Sequence, residues 1–238
     1  MRRAALLMLA TALLTACAAT PPPPAALSQD WPPAFARAPL EAGGRLFRLD
    51  PATSAVRIYV FRGGRAARLG HNHLLSAPRF EGWLWWPDED LARSRGELRL
   101  RWDELLLDDP AQRAAAGGAF AAPLTPEAIA ATRANLLGPQ GVDAARRPEL
   151  RLRLLELVGE PPRLAARVEL ALGERRHALD VPLRLSGPPE RPRIAGAFVL
   201  RQRELGLTPF TVLGGLLAVR DELVLEFELQ AEPAQTAS

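Results

Sequence analysis

The sequence predicts an all-β protein of about eight antiparallel strands, interrupted by a short helical insertion and preceded by a disordered tether. Three observations carry this prediction. Apolar residues recur at every second position in a series of runs between Val56 and Leu229. Turns rich in Gly and Pro, such as Gly187-Pro188-Pro189, separate the runs. One alanine-rich stretch, over 103–147, breaks the alternation. A period of two places one apolar set on one side of a strand, and the polar set between reads as the wet face of an antiparallel sheet.

In chain order, Val56, Ile58 and Val60 alternate with Arg57, Tyr59 and Phe61. Phe80, Gly82, Leu84 and Trp86 alternate with Glu81, Trp83 and Trp85. Leu98, Leu100 and Trp102 follow, then Leu150, Leu152 and Leu154, each set interleaved with arginine. Val168, Leu170 and Leu172 precede Leu179, Val181, Leu183 and Leu185. Ile194, Gly196, Phe198 and Leu200 come next, and Leu223, Leu225, Phe227 and Leu229 close the series. A sheet of this many strands closes on itself or splits into a sandwich. Within the insertion, Thr125 reads as an N-cap, Pro126 as the first helical residue and Glu127 as a favourable first-turn charge. Leu124 and Ile129 are spaced as a hydrophobic staple. The helix is predicted to run to Leu137 and stop at Gly138-Pro139. Trp83 and Trp85, on the outward parity, are expected to lie under a covering helix, with 126–137 as the candidate, or to form a contact surface for a membrane interface or a partner.

The N-terminus carries an export signal. Arg2 and Arg3 precede the short apolar run Ala4–Leu14, which is too short for a membrane span. The run ends in Leu14-Thr15-Ala16-Cys17, which resembles the bacterial lipobox, and Cys17 is the only cysteine in the chain. The organisation read from this is a signal peptide over 1–16 and a lipidated Cys17 with a Pro-rich tether over 17–44. A barrel domain over 45–231 and a tail over 232–238 complete it. Pro21 to Pro24 favour an extended spacer, and Trp31 and Phe35 are the tether's large aromatics, placed to dock on the domain. Ala18 after the cysteine, in place of aspartate, favours the outer membrane by resemblance to lipoprotein sorting in enteric bacteria. The expected location is the periplasmic side of the cell envelope.

Composition narrows the function classes. With a single cysteine, no intramolecular disulfide is possible and the fold stands on packing. All 30 basic residues are arginine, scattered along the chain as in a GC-rich genome. After removal of Arg2 and Arg3, 28 arginines face 27 acidic residues, a balance that argues against a nucleic-acid partner. No Gly-x-Ser-x-Gly elbow, phosphate loop or Cys/His nucleophile arrangement occurs, and nothing requires an enzyme.

Five passages together resemble the YceI-like family of exported proteins. They are Leu49-Asp50-Pro51-Ala52-Thr53-Ser54-Ala55-Val56, Leu69-Gly70-His71-Asn72-His73, Phe80-Glu81-Gly82 and Arg146-Arg147-Pro148-Glu149-Leu150. The fifth is Gly196-Ala197-Phe198 through Glu204-Leu205-Gly206-Leu207 with Val219-Arg220-Asp221-Glu222-Leu223. The resemblance covers about residues 45–231. It implies a lipocalin-like barrel whose long apolar channel holds a polyisoprenoid or similar long-chain lipid. The alanine-rich Ala114–Ala122 and the Glu174-Arg175-Arg176-His177 turn depart from the family pattern.

The channel is then expected to be lined by the inward set, including Val56, Ile58, Val60, Leu98, Leu100, Phe198 and Leu200. His71 and His73, if both lie on a strand, share one face beside a bend at Gly70. They suit a metal or haem site, a head-group contact, or a hydrogen-bonded pair at the barrel mouth. A third metal ligand would have to be His177 or a distant carboxylate. The adjacent Asp108 and Asp109 read as a solvated loop or a helix cap. No resident cofactor is required. The expected partners are a lipid ligand and, through the acyl chains, a membrane.

The lipobox yields a direct test. Cys17→Ser is expected to move the protein from the membrane fraction to the soluble fraction. Equal sedimentation of the mutant with membranes would show that acylation is not the anchor.

Overall fold

The computed structural model describes residues 30–37 and 43–234; Cys17 and the signal segment lie outside the described residues. A single helical turn, α1 (Ala34–Arg37), precedes a closed antiparallel barrel of eight staves. Three staves are each made of two strands in succession. These are β1 (Gly44–Leu49) with β2 (Ala55–Gly63), β3 (His73–Ser76) with β4 (Glu81–Pro87), and β5 (Arg95–Arg101) with β6 (Leu106–Leu107). The insertion follows, with α2 (Pro110–Ala116) and α3 (Pro126–Leu137). The other staves are β7 (Glu149–Glu160), β8 (Arg163–Leu172), β9 (Arg175–Ser186), β10 (Arg193–Arg201) and β12 (Leu217–Pro233), with the two-residue β11 (Thr211–Val212) pairing only with β12. The eight alternating runs in the sequence fall one in each stave.

β12 closes the ring. One edge pairs with β10 from Arg193↔Gln230 to Arg201↔Glu222. The other edge carries β2 from Ala218↔Gly63 to Glu228↔Ala55, then β1 from Ala231↔Leu49 to Pro233↔Phe47. The last strand thus includes Glu232 and Pro233, which sequence alone assigned to a tail, because β1 needs a partner there. The break between β1 and β2 is built by Asp50, whose carboxylate accepts from the Ala52 N–H (3.0 Å) and the Thr53 hydroxyl (2.7 Å). Such Asx geometry turns the chain without a ladder bond. Ser54 restores continuity by donating to the Asp50 carbonyl and accepting from the Gln230 N–H.

The interior is a continuous apolar core. Phe47, Leu150, Leu170, Leu172 and Ala231 are almost wholly buried within it. The outer face carries cross-strand ion pairs such as Arg99–Glu81 (3.0 Å), Arg151–Glu97 (3.1 Å) and Arg153–Glu169 (3.0 Å). Each such surface pair contributes at most about 1 kcal/mol, so the apolar interior carries the stability. The helix α3 has the bounds and the Thr125 cap read from the sequence, with the Ala128 N–H donating to Thr125 Oγ1.

One sequence expectation is corrected. Trp85 is outward and buried, but α3 does not cover it. The guanidinium groups of Arg93 and Arg95 do, at 5.9 and 5.7 Å from the ring centroid, and Gly44 leaves the space it fills. The reason is that Ile129, Leu136 and Leu137 turn α3 toward the barrel core, where it plugs one end. The described part of the tether docks on the domain through Trp31, as the sequence placed it to do. The Trp31 indole donates to Glu81 (2.5 Å), and Arg99 stacks on its ring at 4.6 Å. Asp30 pairs with Arg151 at 3.5 Å. An indole between guanidinium planes gains cation–π attraction that a flexible spacer lacks.

Gly196 marks a tight spot in the wall. A Cβ there would lie 2.7 Å from both Phe227 Cζ and the Pro182 carbonyl oxygen. Gly196→Ala is expected to lower unfolding free energy by about 1–3 kcal/mol, as overpacking does. Urea denaturation measures it, and an unchanged midpoint would show that the wall yields.

Candidate functional site: the channel and its polar end

Two cavities lie inside the barrel. The first, of about 170 Å³, is lined by Val56, Leu98, Leu100 and Phe198 with Leu152 and Val168. The second, of about 210 Å³, is lined by Val60, His73, Leu200 and Leu223, with Thr132, Asn135 and Leu136 of α3. Ile58, Leu150 and Leu225 border both cavities and form the waist between them. All seven residues that parity assigned to the interior therefore meet around this channel. Period two delivers that result because all these positions lie within regular strands, where side chains alternate without exception.

The two ends differ chemically. The walls of the first cavity are almost entirely aliphatic and aromatic. At the second cavity, the His73 imidazole, Thr132, Asn135, Gln140, Gln202 and Thr208 join the apolar lining. Trp102 also lines it, and its buried indole N–H has no acceptor among the described residues.

His73 is held from behind. Its Nδ1 lies 2.6 Å from Asp108 Oδ2, and the other carboxylate oxygen accepts from the Leu74 N–H (2.9 Å) and Arg113 Nη1 (2.5 Å). Arg113 also donates to the carbonyls of Asn72 (2.7 Å) and Ala122 (2.9 Å). Asp108 is 1% exposed and Arg113 3%. An ionised carboxylate only accepts, so Nδ1 carries the proton and Nε2 is the ring atom left for the cavity. Burial pushes the Asp108 carboxyl up. The hydrogen bonds from His73, the Leu74 N–H and Arg113 outweigh it and hold the carboxyl below its ordinary range.

Sequence reasoning missed this cluster. It read Asp108 and Asp109 as solvated or capping. Asp109 does cap α2, accepting from the Gln112 N–H (2.9 Å), but Asp108 is the buried anion that ties the insertion to β3. Its left-handed backbone (φ 55°) is the local feature that turns it inward, and no sequence pattern announces it.

The shared face of His71 and His73 is also corrected. β3 begins only at His73, where the ladder with Val60 starts, and His71 lies in the preceding irregular segment, exposed to solvent. Buried Asn72 causes the break. Its side-chain oxygen accepts from the Arg62 N–H (3.0 Å), replacing a ladder bond. His177 lies elsewhere, 3.3 Å from Glu204. Among the described residues, no three His, Cys, Asp or Glu side chains come together as a metal site.

Comparison with solved structures identifies the architecture. Burkholderia cenocepacia BcnA superposes with a TM-score of 0.56 at 10% identity, covering 76% of this chain and 98% of that one. A mutant Campylobacter jejuni YceI protein with a monobromobimane guest gives 0.50 at 7% identity, covering 68% and 85%. The barrel is thus a YceI-like fold. No family model matches the sequence, and no curated protein matches it.

The cluster has a pH signature. Because the folded Asp108 pKa lies below the unfolded value of about 3.9, its contribution is complete above that value and is lost as pH falls through the folded pKa. Asp108→Asn is expected to cost on the order of 3–5 kcal/mol at neutral pH, since it leaves Arg113 buried without its counter-charge. The gap to wild type should narrow as pH drops below about 4. Urea titrations across that range measure it, and parallel pH profiles would refute the assignment.

Proposed function

We propose that this chain is an exported lipoprotein of the YceI-like family that holds a long-chain apolar ligand, a polyisoprenoid or similar lipid, inside its barrel. Cys17, acylated, anchors it on the periplasmic side of the outer membrane. The observation that carries the reading is the pair of cavities inside the barrel, which share Ile58, Leu150 and Leu225 as lining and of which the first is almost wholly apolar. A slender chain fits an eight-stranded barrel, and an apolar lining with a few polar groups at one end orients a ligand that has a polar head. In this arrangement the tail occupies the Val56, Leu98, Leu100 and Phe198 end, and the head meets His73, Asn135 and Gln202. No resident cofactor or catalytic chemistry is part of the proposal. The exposure of His71, outside the cavity lining, weighs against a metal or haem held by that pair.

Organic extraction of the purified protein, followed by mass spectrometry, is expected to release a long-chain lipid in near-stoichiometric amount. Leu100, 3% exposed in the channel wall, supplies the control. Leu100→Arg buries an unpaired charge that costs several kcal/mol, so it is expected to abolish ligand retention or lower the melting temperature sharply. Unchanged lipid content and melting temperature would show that this face does not hold the ligand.

A further inference from the structure

At the polar end of the channel, two loops meet to form a tip. One joins β2 to β3 over 64–72, and the other joins β10 to β12 over 202–216. They touch directly: the Ala66 N–H donates to the Leu216 carbonyl (2.9 Å), and a Cβ at Gly64 would fall 2.4 Å from the same oxygen. From this tip Leu69 (68% exposed), Leu213 (72%), Leu216 and Val212 project into solvent. These are four of the eight large apolar residues exposed on the described surface, gathered on adjoining loops. Grouped exposure of this kind marks an interaction site, whereas scattered apolar residues do not. Arg65 and Arg68 on the first loop and Arg220 beside the second are exposed, and none has an acidic partner among the described residues. The nearby acidic groups are committed elsewhere, Asp221 to Arg203 and Glu222 to Arg201.

We infer that this tip docks on an anionic lipid bilayer, with the aliphatic side chains entering the interface and the arginines meeting phosphate head groups. The combination of protruding aliphatics and unpaired guanidinium groups selects that partner. Apolar burial and anionic attraction add at a membrane surface, whereas an apolar protein groove leaves the cations unanswered. The tip is continuous with the channel. Phe210 and Val219, whose backbones bond to each other at the base of the second loop, both line the second cavity. Docking there sets the polar end of the channel, which α3 plugs, against the head-group layer. Leu213 adopts a left-handed φ of 52° between Val212 and Gly214, a conformation that costs free energy in a non-glycine residue and holds its side chain outward. The docking rests on the lipid-carrier reading for its purpose, but not for its measurement.

The test incorporates an environment-sensitive fluorescent amino acid into the full-length protein in place of Leu213 and, separately, of Val199 on the outer wall of β10, which is also exposed (56%), so that Cys17 is left untouched. Each labelled protein is mixed with vesicles of phosphatidylcholine alone or with phosphatidylglycerol, both carrying brominated acyl chains. The Leu213 probe is expected to shift to the blue and be quenched on the anionic vesicles only, while the Val199 probe stays aqueous. Arg65→Glu with Arg68→Glu is expected to weaken the quenching titration by on the order of tenfold or more. The readout is probe depth, whichever part of the chain brings the protein to the vesicle. An unquenched Leu213 probe, equal quenching at both positions, or quenching insensitive to lipid charge would each overturn the docking. Lipid extracted from the same samples reports on the carrier reading separately: bound lipid with an unquenched tip refutes the docking alone, and a quenched tip without bound lipid refutes the carrier.

Discussion

Every stave of this barrel needs a hydrogen-bonding neighbour on both sides, and β12 is the strand that makes this possible. It presents one edge to β10 and the other to β2 and β1 in succession. A sheet left open at that seam would expose two unpaired edges and the apolar face between them. Closure converts the same face into an interior. The local devices along the seam serve that end: the Asp50 turn that breaks β1 from β2, the Ser54 and Gln230 bonds that bridge the break, and the Asn72 side chain that stands in for a ladder partner. Each lets one continuous stave bend while its backbone groups remain satisfied.

The insertion would be a liability without an anchor. It is long, rich in alanine, and contributes little apolar area of its own. The buried Asp108 fixes one end of it to β3 through Leu74, to α2 through Arg113 and to the cavity wall through His73. Buried charges of opposite sign are costly to desolvate, and they endure where hydrogen bonds satisfy them all round. Here five contacts offset most of that cost, and Arg113 Nε alone of the pair's polar atoms is buried without a partner among the described residues. Arg133 holds α3 where it plugs the channel by donating to the carbonyls of Leu105 and Asp103, and the cluster fixes the imidazole tautomer that faces the cavity. Phe120 adds an outer clamp, meeting Tyr59 and Phe61 edge-on at 5.4 and 5.8 Å.

The channel acquires its direction from this asymmetry. Strand parity alone makes both halves apolar. The polar groups at one end come from elements that are not strands, or from the first residue of one: Thr132 and Asn135 on α3, Gln140 after it, Gln202 and Thr208 in the β10–β12 connection, and His73. The exposed leucines and unpaired arginines are on loops at that same end. In the proposed function, orientation of a ligand and approach to a surface both belong to the connections, and the staves supply the tube.

How much of this was legible depends on the range of the interaction. Parity within a strand is local, so Val56, Ile58, Val60, Leu98, Leu100, Phe198 and Leu200 could all be placed inside from the sequence. The bounds of α3 were equally readable, since a Thr cap, a Pro start and a Gly-Pro stop act through neighbouring backbone. The parity argument failed at His71, one residue outside the regular strand, because Asn72 spends its side chain on a backbone N–H from β2. Asp108 resembled a loop carboxylate, because its partners His73 and Leu74 lie more than thirty residues away. The sequence by itself determined the staves, their inward faces and the plug helix, for their causes are periodicity and capping. Only the tertiary structure decided which histidine meets the cavity, which carboxylate is buried and where the cations lack partners, because each of those depends on which distant segments closure brings together.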